Sequence, residues 1–208
     1  MSRRRPLGCL IEIAETLVLT LVIFWVIQTF VAQPYRVEQQ SMEDTLHQEQ
    51  YVLVDKLTPN FDSYSRGDIV VFHPGTRDGS CDVESDGANG DVPFIKRVVG
   101  VPGDRLEFID GGVVVNGADL DEPYVKGTTT PQEQSEWLIP AGRLFVMGDN
   151  RNNSSDSRGF GPVCVRDVIG RAWLRYWPLN ELGILQTPTY PDVPAAPSPT
   201  PLAGTPAP

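Results

Sequence analysis

Phe94-Ile95-Lys96-Arg97-Val98-Val99 sets two cations side by side inside an apolar run. Read as a strand, it places Phe94, Lys96 and Val98 on one face and Ile95, Arg97 and Val99 on the other. A lysine flanked on its own face by two apolar neighbours is unfavourable to keep charged. Burial lowers its pKa, and the neutral amine that results is a base. Arginine stays protonated and could not take that role. The chain carries 17 basic residues, yet only Lys56, Lys96 and Lys126 are lysine. For a single strand lysine the bland alternative is a stem lying on the sheet with its head in water. Upstream, Gln39-Gln40-Ser41-Met42-Glu43-Asp44-Thr45-Leu46 carries a serine nine residues after an apolar stretch ends at Ala32. Ser41 and Lys96 together predict a hydrolase with a Ser–Lys dyad.

Around this run the pattern is one of short strands. Tyr51 to Asp55, Asp68 to Phe72, Arg143 to Met147 and Ile169 to Trp177 read as strands. Arg105 to Ile109 and Val113 to Asn116 flank Asp110-Gly111-Gly112, a hairpin signal. Residues 74–92 and 131–136 are loops by composition. Little helical periodicity follows the apolar stretch. The expected fold is therefore all-β and mostly antiparallel, with two packed sheets over residues 33–186, preceded by one transmembrane helix. From Thr187 to the end proline dominates, and 187–208 is expected to be a disordered or polyproline-like tail.

Composition narrows the function. Net charge is −10, which argues against nucleic acid as a partner. Arg3, Arg4 and Arg5 precede the stretch from Leu10 to Ala32, which is long enough to cross roughly 30 Å of hydrocarbon as a helix. The arginines predict a cytoplasmic N-terminus (1–9), an anchor (10–32) and an extracytoplasmic body. A cleaved signal peptide fits less well, because Phe30-Val31-Ala32 lacks a small residue at the −3 position. Cys9 lies at the cytoplasmic end. Cys81 and Cys164 lie in the exported part, where they either pair or remain two separate thiols.

Three further segments join Ser41 and Lys96: Ser65-Arg66-Gly67-Asp68-Ile69-Val70-Val71-Phe72, Lys96 through Asp104, and Gly148-Asp149-Asn150-Arg151 continuing to Gly159. In this order, behind an apolar stretch, they resemble the type I signal peptidases, the leader peptidases of bacteria. The resemblance covers about residues 10 to 178. It implies a membrane-bound serine endopeptidase, single-pass in the cell membrane and monomeric, with membrane lipid around it. Its substrates would be secretory preproteins, cut after small residues at −1 and −3, with no metal and no cofactor. Ser41 would be the nucleophile and Lys96 the general base. Ser154 would orient the lysine amine, while Asp149 would pair with Arg97 and Asp156 with Arg158. The Ser41 N–H would serve the oxyanion hole, with Gln39 supplying a second donor. Val37, Met42, Leu46 and Ile95 would line the substrate pockets.

The chain also departs from the family pattern. Asp44 stands where a proline is usual, and near Lys96 its charge would raise the lysine pKa. Gln39 stands where serine or glycine is usual. These departures motivate a competing reading, a membrane-tethered binding domain. A Ser–His hydrolase using His47 or His73 is a third.

Overall fold

The fold is a computed structural model, described for residues 6–57, 63–73, 81, 92–132 and 134–196, with the side chains of 6–10, 29 and 30 left aside. Among the described residues twelve strands follow an N-terminal helix: β1 (Ala32–Arg36), β2 (Tyr51–Asp55), β3 (Ile69–Phe72), β4 (Phe94–Gly100), β5 (Arg105–Ile109), β6 (Gly112–Val115), β7 (Ala118–Asp119), β8 (Glu136–Leu138), β9 (Arg143–Met147), β10 (Val163–Cys164), β11 (Val168–Trp177) and β12 (Gly183–Ile184). They form two sheets. The larger runs β1-β2-β11-β3-β4-β9-β10, with β12 on β11, and the smaller runs β7-β6-β5-β8. The strand pairings are antiparallel, and the body is mostly β.

Burial explains the order. β3 reads Ile-Val-Val-Phe and is buried throughout, because each of its faces is covered. Ile69 and Val71 pack with Val37, Met42, Leu46, Val52 and Val54. Val70 and Phe72 pack with Val98, Leu144, Val146 and Val163. A strand covered on both sides loses the apolar–polar alternation. β1 lies at the sheet edge, where Pro34 is tolerated because an edge position leaves its missing N–H unneeded. The smaller sheet packs Leu106, Phe108, Val113 and Val115 against Val99, Phe145 and Met147. Its β5–β6 hairpin turns on Asp110 and Gly111, both at positive φ, the backbone that a two-residue type I′ turn requires. Asn116-Gly117 repeats the device between β6 and β7.

Helix α1 spans Pro6–Val26, continues as a π-helical turn over Ile27–Val31, and passes directly into β1 at Ala32. Its apolar side chains, among them Leu17, Leu21, Phe24 and Trp25, are exposed. Among the described residues no helix is long and apolar enough to cross a membrane.

One expectation needs correction. Residues 187–194 are docked on the body. Val193 is buried in the core beneath the smaller sheet, Thr187 donates to Asp68, and the Pro194 carbonyl accepts from Asn116. Pro188 lies so close to Gly67 that a Cβ there would sit 2.8 Å from its ring, and Gly67 itself holds φ at +92°. Between Tyr190 and Val193 the segment turns at Pro191, with the Val193 N–H donating to the Tyr190 carbonyl, and burial of the valine is worth about 1.5 to 3 kcal/mol. Residues 197–208 lie outside the described residues, as does most of the expected loop 74–92. Cys81 within that loop is bonded to Cys164 of β10, with Cα atoms 5.8 Å apart.

Candidate active site

Ser41 opens a helical turn after β1. The Met42 carbonyl accepts from the N–H groups of Thr45 and Leu46, and the Met42 and Leu46 side chains, both fully buried, fix the turn to the core. The Asn150 N–H donates to the Ser41 carbonyl at 2.9 Å, which ties the serine to the loop after β9. Gly148 is pressed between the two. A Cβ there would lie 2.5 Å from the Ser41 carbonyl oxygen and closer still to Ser154 Oγ, so no side chain fits.

Lys96 sits opposite Val70 of β3 and is 0% exposed. Its Nζ lies 2.6 Å from Ser41 Oγ, donates to the Ile95 carbonyl at 3.1 Å, and rests 5.3 Å from the Phe94 ring centre. None of these neighbours is an anion in contact. Burial therefore lowers the lysine pKa to about 8, against a smaller opposing pull from Asp156 and Asp149. A neutral amine in hydrogen-bond reach of a buried serine hydroxyl can accept its proton.

The carboxylates nearby are neutralised by arginines. Arg97 makes a two-pronged bond to Asp149, 2.9 Å from Nε to Oδ1 and 2.7 Å from Nη2 to Oδ2, and its Nη1 donates to the Gly67 carbonyl. Thr45 donates to Asp149 as well. Asp156 binds Arg158 in the same forked manner, 2.8 Å on each prong. It also accepts from the Gly148 N–H and caps the short helix α2 (Ser157–Phe160). Burial alone would raise the Asp156 carboxyl; the Arg158 guanidinium overrides that and holds it below the usual carboxylate range. Ser154 is not joined to Lys96. Its Oγ is buried beside Gly148, and no hydrogen bond among the described residues joins it to the amine.

A groove of 210 Å³ runs beside the site, lined in part by Val37, Gln39, Pro93 and Ile95. Val37 and Ile95 thus border open space. Met42 and Leu46 are fully buried in the same core cluster as Val37, which borders that groove. No hydrogen bond among the described residues takes the Ser41 N–H, which leaves it available to an incoming oxygen. Asp44 does not approach Lys96. It takes a positive φ of 65° and turns outward to Lys126, which also meets Glu43. His47 is an exposed loop residue, and among the described residues no hydrogen bond links it or His73 to Ser41. Among the described residues no group of His, Cys, Asp and Glu is placed to hold a metal ion.

Sequence reasoning passed over a second layer. Glu122 binds Arg151 through two prongs, Arg151 donates to the Gly148 carbonyl, and the Arg97 guanidinium stacks 3.9 Å from the Tyr124 ring centre. The stretch Asp121-Glu122-Pro123-Tyr124 carries no periodicity and reads only as a turn.

Comparison with known proteins identifies the family. The family described as signal peptidase, peptidase S26, matches residues 10–177. A signal peptidase I of Leptolyngbya laminosa is 38% identical over 86% of this chain and 85% of its own length. A probable signal peptidase I-2 of Synechocystis is 34% identical over 86% and 79%. A signal peptidase IB of Staphylococcus aureus is 30% identical over 83% and 92%. With a match over residues 10–177 and relatives 30% to 38% identical over most of their length, the chain belongs to the signal peptidase family, peptidase S26, and is an enzyme of that kind.

Proposed function

We propose that this enzyme is a membrane-anchored serine endopeptidase that removes N-terminal signal peptides from exported preproteins after small residues at −1 and −3. Ser41 is its nucleophile and Lys96 its general base. The observation that carries the reading is the 2.6 Å contact between Ser41 Oγ and a fully buried Lys96 amine whose pKa is lowered to about 8. The neutral amine takes the Ser41 proton as Oγ attacks the scissile carbonyl. The resulting ammonium then protonates the leaving amine, and an acyl ester remains on Ser41. A water deprotonated by Lys96 hydrolyses that ester and restores the hydroxyl. The Ser41 N–H faces the developing oxyanion, and Gln39 on the groove wall is the second donor. One such donor is worth about 3 to 4 kcal/mol in the transition state.

Asp149 with Arg97 and Asp156 with Arg158 keep carboxylate charge paired, so that the lysine can lose its proton. The groove bounded by Val37 and Ile95 receives the extended peptide at its small residues. Residues 10–32 serve as a single-pass anchor, with 1–9 cytoplasmic and 33–186 outside; α1 by itself falls short of a span among the described residues, and the π-helical turn Ile27–Val31 extends it. Support comes from α1, whose side chains from Leu17 to Val26 are all apolar apart from Thr20 and are exposed around its circumference, a pattern suited to lipid. The exposed Trp177, Leu179, Leu182 and Ile184 add a surface fit to rest on it. The enzyme acts as a monomer, with preproteins and lipid as partners, and uses no cofactor, metal or nucleic acid.

The test is cleavage of a detergent-solubilised preprotein with an Ala-x-Ala site by the wild type, Ser41→Ala and Lys96→Ala. A single cut after the last alanine, lost in both variants with the fold intact, is expected. Substantial cleavage by Lys96→Ala would overturn the dyad.

A further inference from the structure

The tail that docks on the body touches Arg97's surroundings at two points. Pro188 covers Gly67, whose carbonyl accepts from Arg97 Nη1 at 2.9 Å. Two residues on, the Tyr190 hydroxyl lies 2.8 Å from the Tyr124 hydroxyl, and the Tyr124 ring covers the Arg97 guanidinium at 3.9 Å. Tyr124 also donates to Glu122 at 2.9 Å. Glu122 in turn holds Arg151, which binds the Gly148 carbonyl within the loop that grips Ser41. Backbone bonds reinforce the link. Lys126 N–H donates to the Asp149 carbonyl and Arg151 N–H to the Lys126 carbonyl. Burial, then Glu122, pushes the Tyr124 phenol far above its ordinary value, so it remains a donor at any working pH.

Resting on the Ser–Lys reading above, we propose that Tyr124 is a positioning residue for the dyad, clamped by Tyr190 of the docked tail. Its ring seals the Arg97–Asp149 pair from water and holds the guanidinium on the carboxylate. The charges around Lys96 explain why this matters to catalysis. From the loop after β9 come Asp149 and Asp156, each neutralised by an arginine. β3 contributes only apolar side chains, and the Glu43 and Asp44 carboxylates of the serine turn face Lys126. Asp149 is one of the two carboxylates that favour the ammonium form of Lys96. If Arg97 drifts, the Asp149 charge is less cancelled, the lysine pKa rises, and less neutral base is present at a given pH. Among the described residues no hydrogen bond or ring contact links the groove residues Val37, Pro93 and Ile95 to either tyrosine, so the proposal places the effect on the base and not on substrate binding.

The experiment is a pH profile of preprotein cleavage by the full chain in detergent, with kcat and KM resolved. Activity of the wild type rises through the lysine pKa. Tyr124→Leu is expected to move that rising limb upward by about half a pH unit, which lowers kcat near pH 7 about three-fold with KM within about two-fold. Tyr124→Phe keeps the ring over Arg97 and recovers part of the shift. Tyr190→Phe moves the limb in the same direction by less. A limb that stays in place in Tyr124→Leu, with activity reduced equally at every pH, marks a merely structural role and overturns the proposal. Should Tyr124→Leu fail to fold, an unmoved limb in Tyr190→Phe overturns it as well. A wild type lacking the limb, or an active Lys96→Ala, sinks the dyad reading and this proposal with it; an unmoved limb beside a normal wild type sinks only this one.

Discussion

Lys96 and Arg97 are neighbours on β4, both cations and both buried, 0% and 2% exposed, yet the two faces of the strand treat them in opposite ways. On Arg97's face the chain supplies a forked carboxylate, a carbonyl and an aromatic cover. The arginine stays charged, and its pKa is raised despite burial. On Lys96's face it supplies a hydroxyl, one carbonyl and a phenyl ring, and the lysine pKa falls to about 8. A buried cation must be paired or neutralised. This strand does each once, and the unpaired position is the one beside the serine.

The largest effect is expected from erasing the chemical difference. Lys96→Arg puts guanidinium on both faces, and guanidinium cannot act as a base. Cleavage of a preprotein should fall by about 10³-fold or more, the upper range of general-base catalysis, while circular dichroism stays that of a folded β protein. Cleavage within ten-fold of wild type would mean that the low-pKa face is not what drives the reaction.

Breaking the paired face attacks stability instead. Asp149→Ala leaves Arg97 buried without its anion, at an expected loss of about 3 to 5 kcal/mol, read as the shift of the urea midpoint. Replacing both partners, Arg97→Met with Asp149→Leu, should recover most of that loss, since it is the stranded charge that destabilises. If the double variant is no better than the single, Asp149 acts mainly through Thr45, which it also binds.

The unpaired face should respond with the opposite sign. The folded lysine pKa is about 8 and the reference value 10.5, so burial disfavours the ammonium form. Below pH 8 the lysine is protonated in both folded and unfolded chains, and the penalty is fully present. Between 8 and 10.5 the folded chain releases the proton and the penalty fades. Lys96→Met should therefore be more stable than wild type by about 3 kcal/mol near pH 7, with the advantage gone above the unfolded pKa. Thermal melts at pH 7 and pH 11 measure it. An equal gain at both pH values would point to packing rather than charge.

How far these two faces could be read from the sequence depends on the range of the interactions. Period-two alternation alone separates Lys96 from Arg97, because it is a property of six consecutive residues. The Asp110-Gly111 hairpin was equally local, and the Asn116-Gly117 turn carried the same signal unread. Met42 and Leu46 read as apolar, and the structure buries them with Val37 in one cluster; residue type does not say which side of a turn is covered. Proline content describes an average and hides the docked part of the tail, because docking depends on Tyr190 and Val193 meeting partners far upstream in the chain. The role of Ser154 rests on resemblance, and no hydrogen bond among the described residues joins its hydroxyl to the amine. The contacts between the Glu122–Lys126 segment and the loop after β9 are not legible, because no local pattern announces the pairing.

Asp44 gives the smallest and most discriminating test. It was expected to threaten Lys96's neutrality, and a proline was expected in its place. Its φ of 65° is closed to proline, whose ring fixes φ near −65°, so this serine turn follows a path of its own. The carboxylate points to Lys126, an exposed lysine with ordinary surface partners. That makes Lys126 a third treatment of a cation, paired in water rather than in the core, where screening leaves the pair little weight. Asp44→Gly removes the charge and relieves a left-handed backbone, a gain of about 1 kcal/mol or less once the freer unfolded chain is counted. The rising limb of the pH profile should not move. A limb shifted downward in Asp44→Gly would mean that the Asp44 charge does reach Lys96 across the turn, and that the unpaired face of β4 is less isolated than its contacts imply.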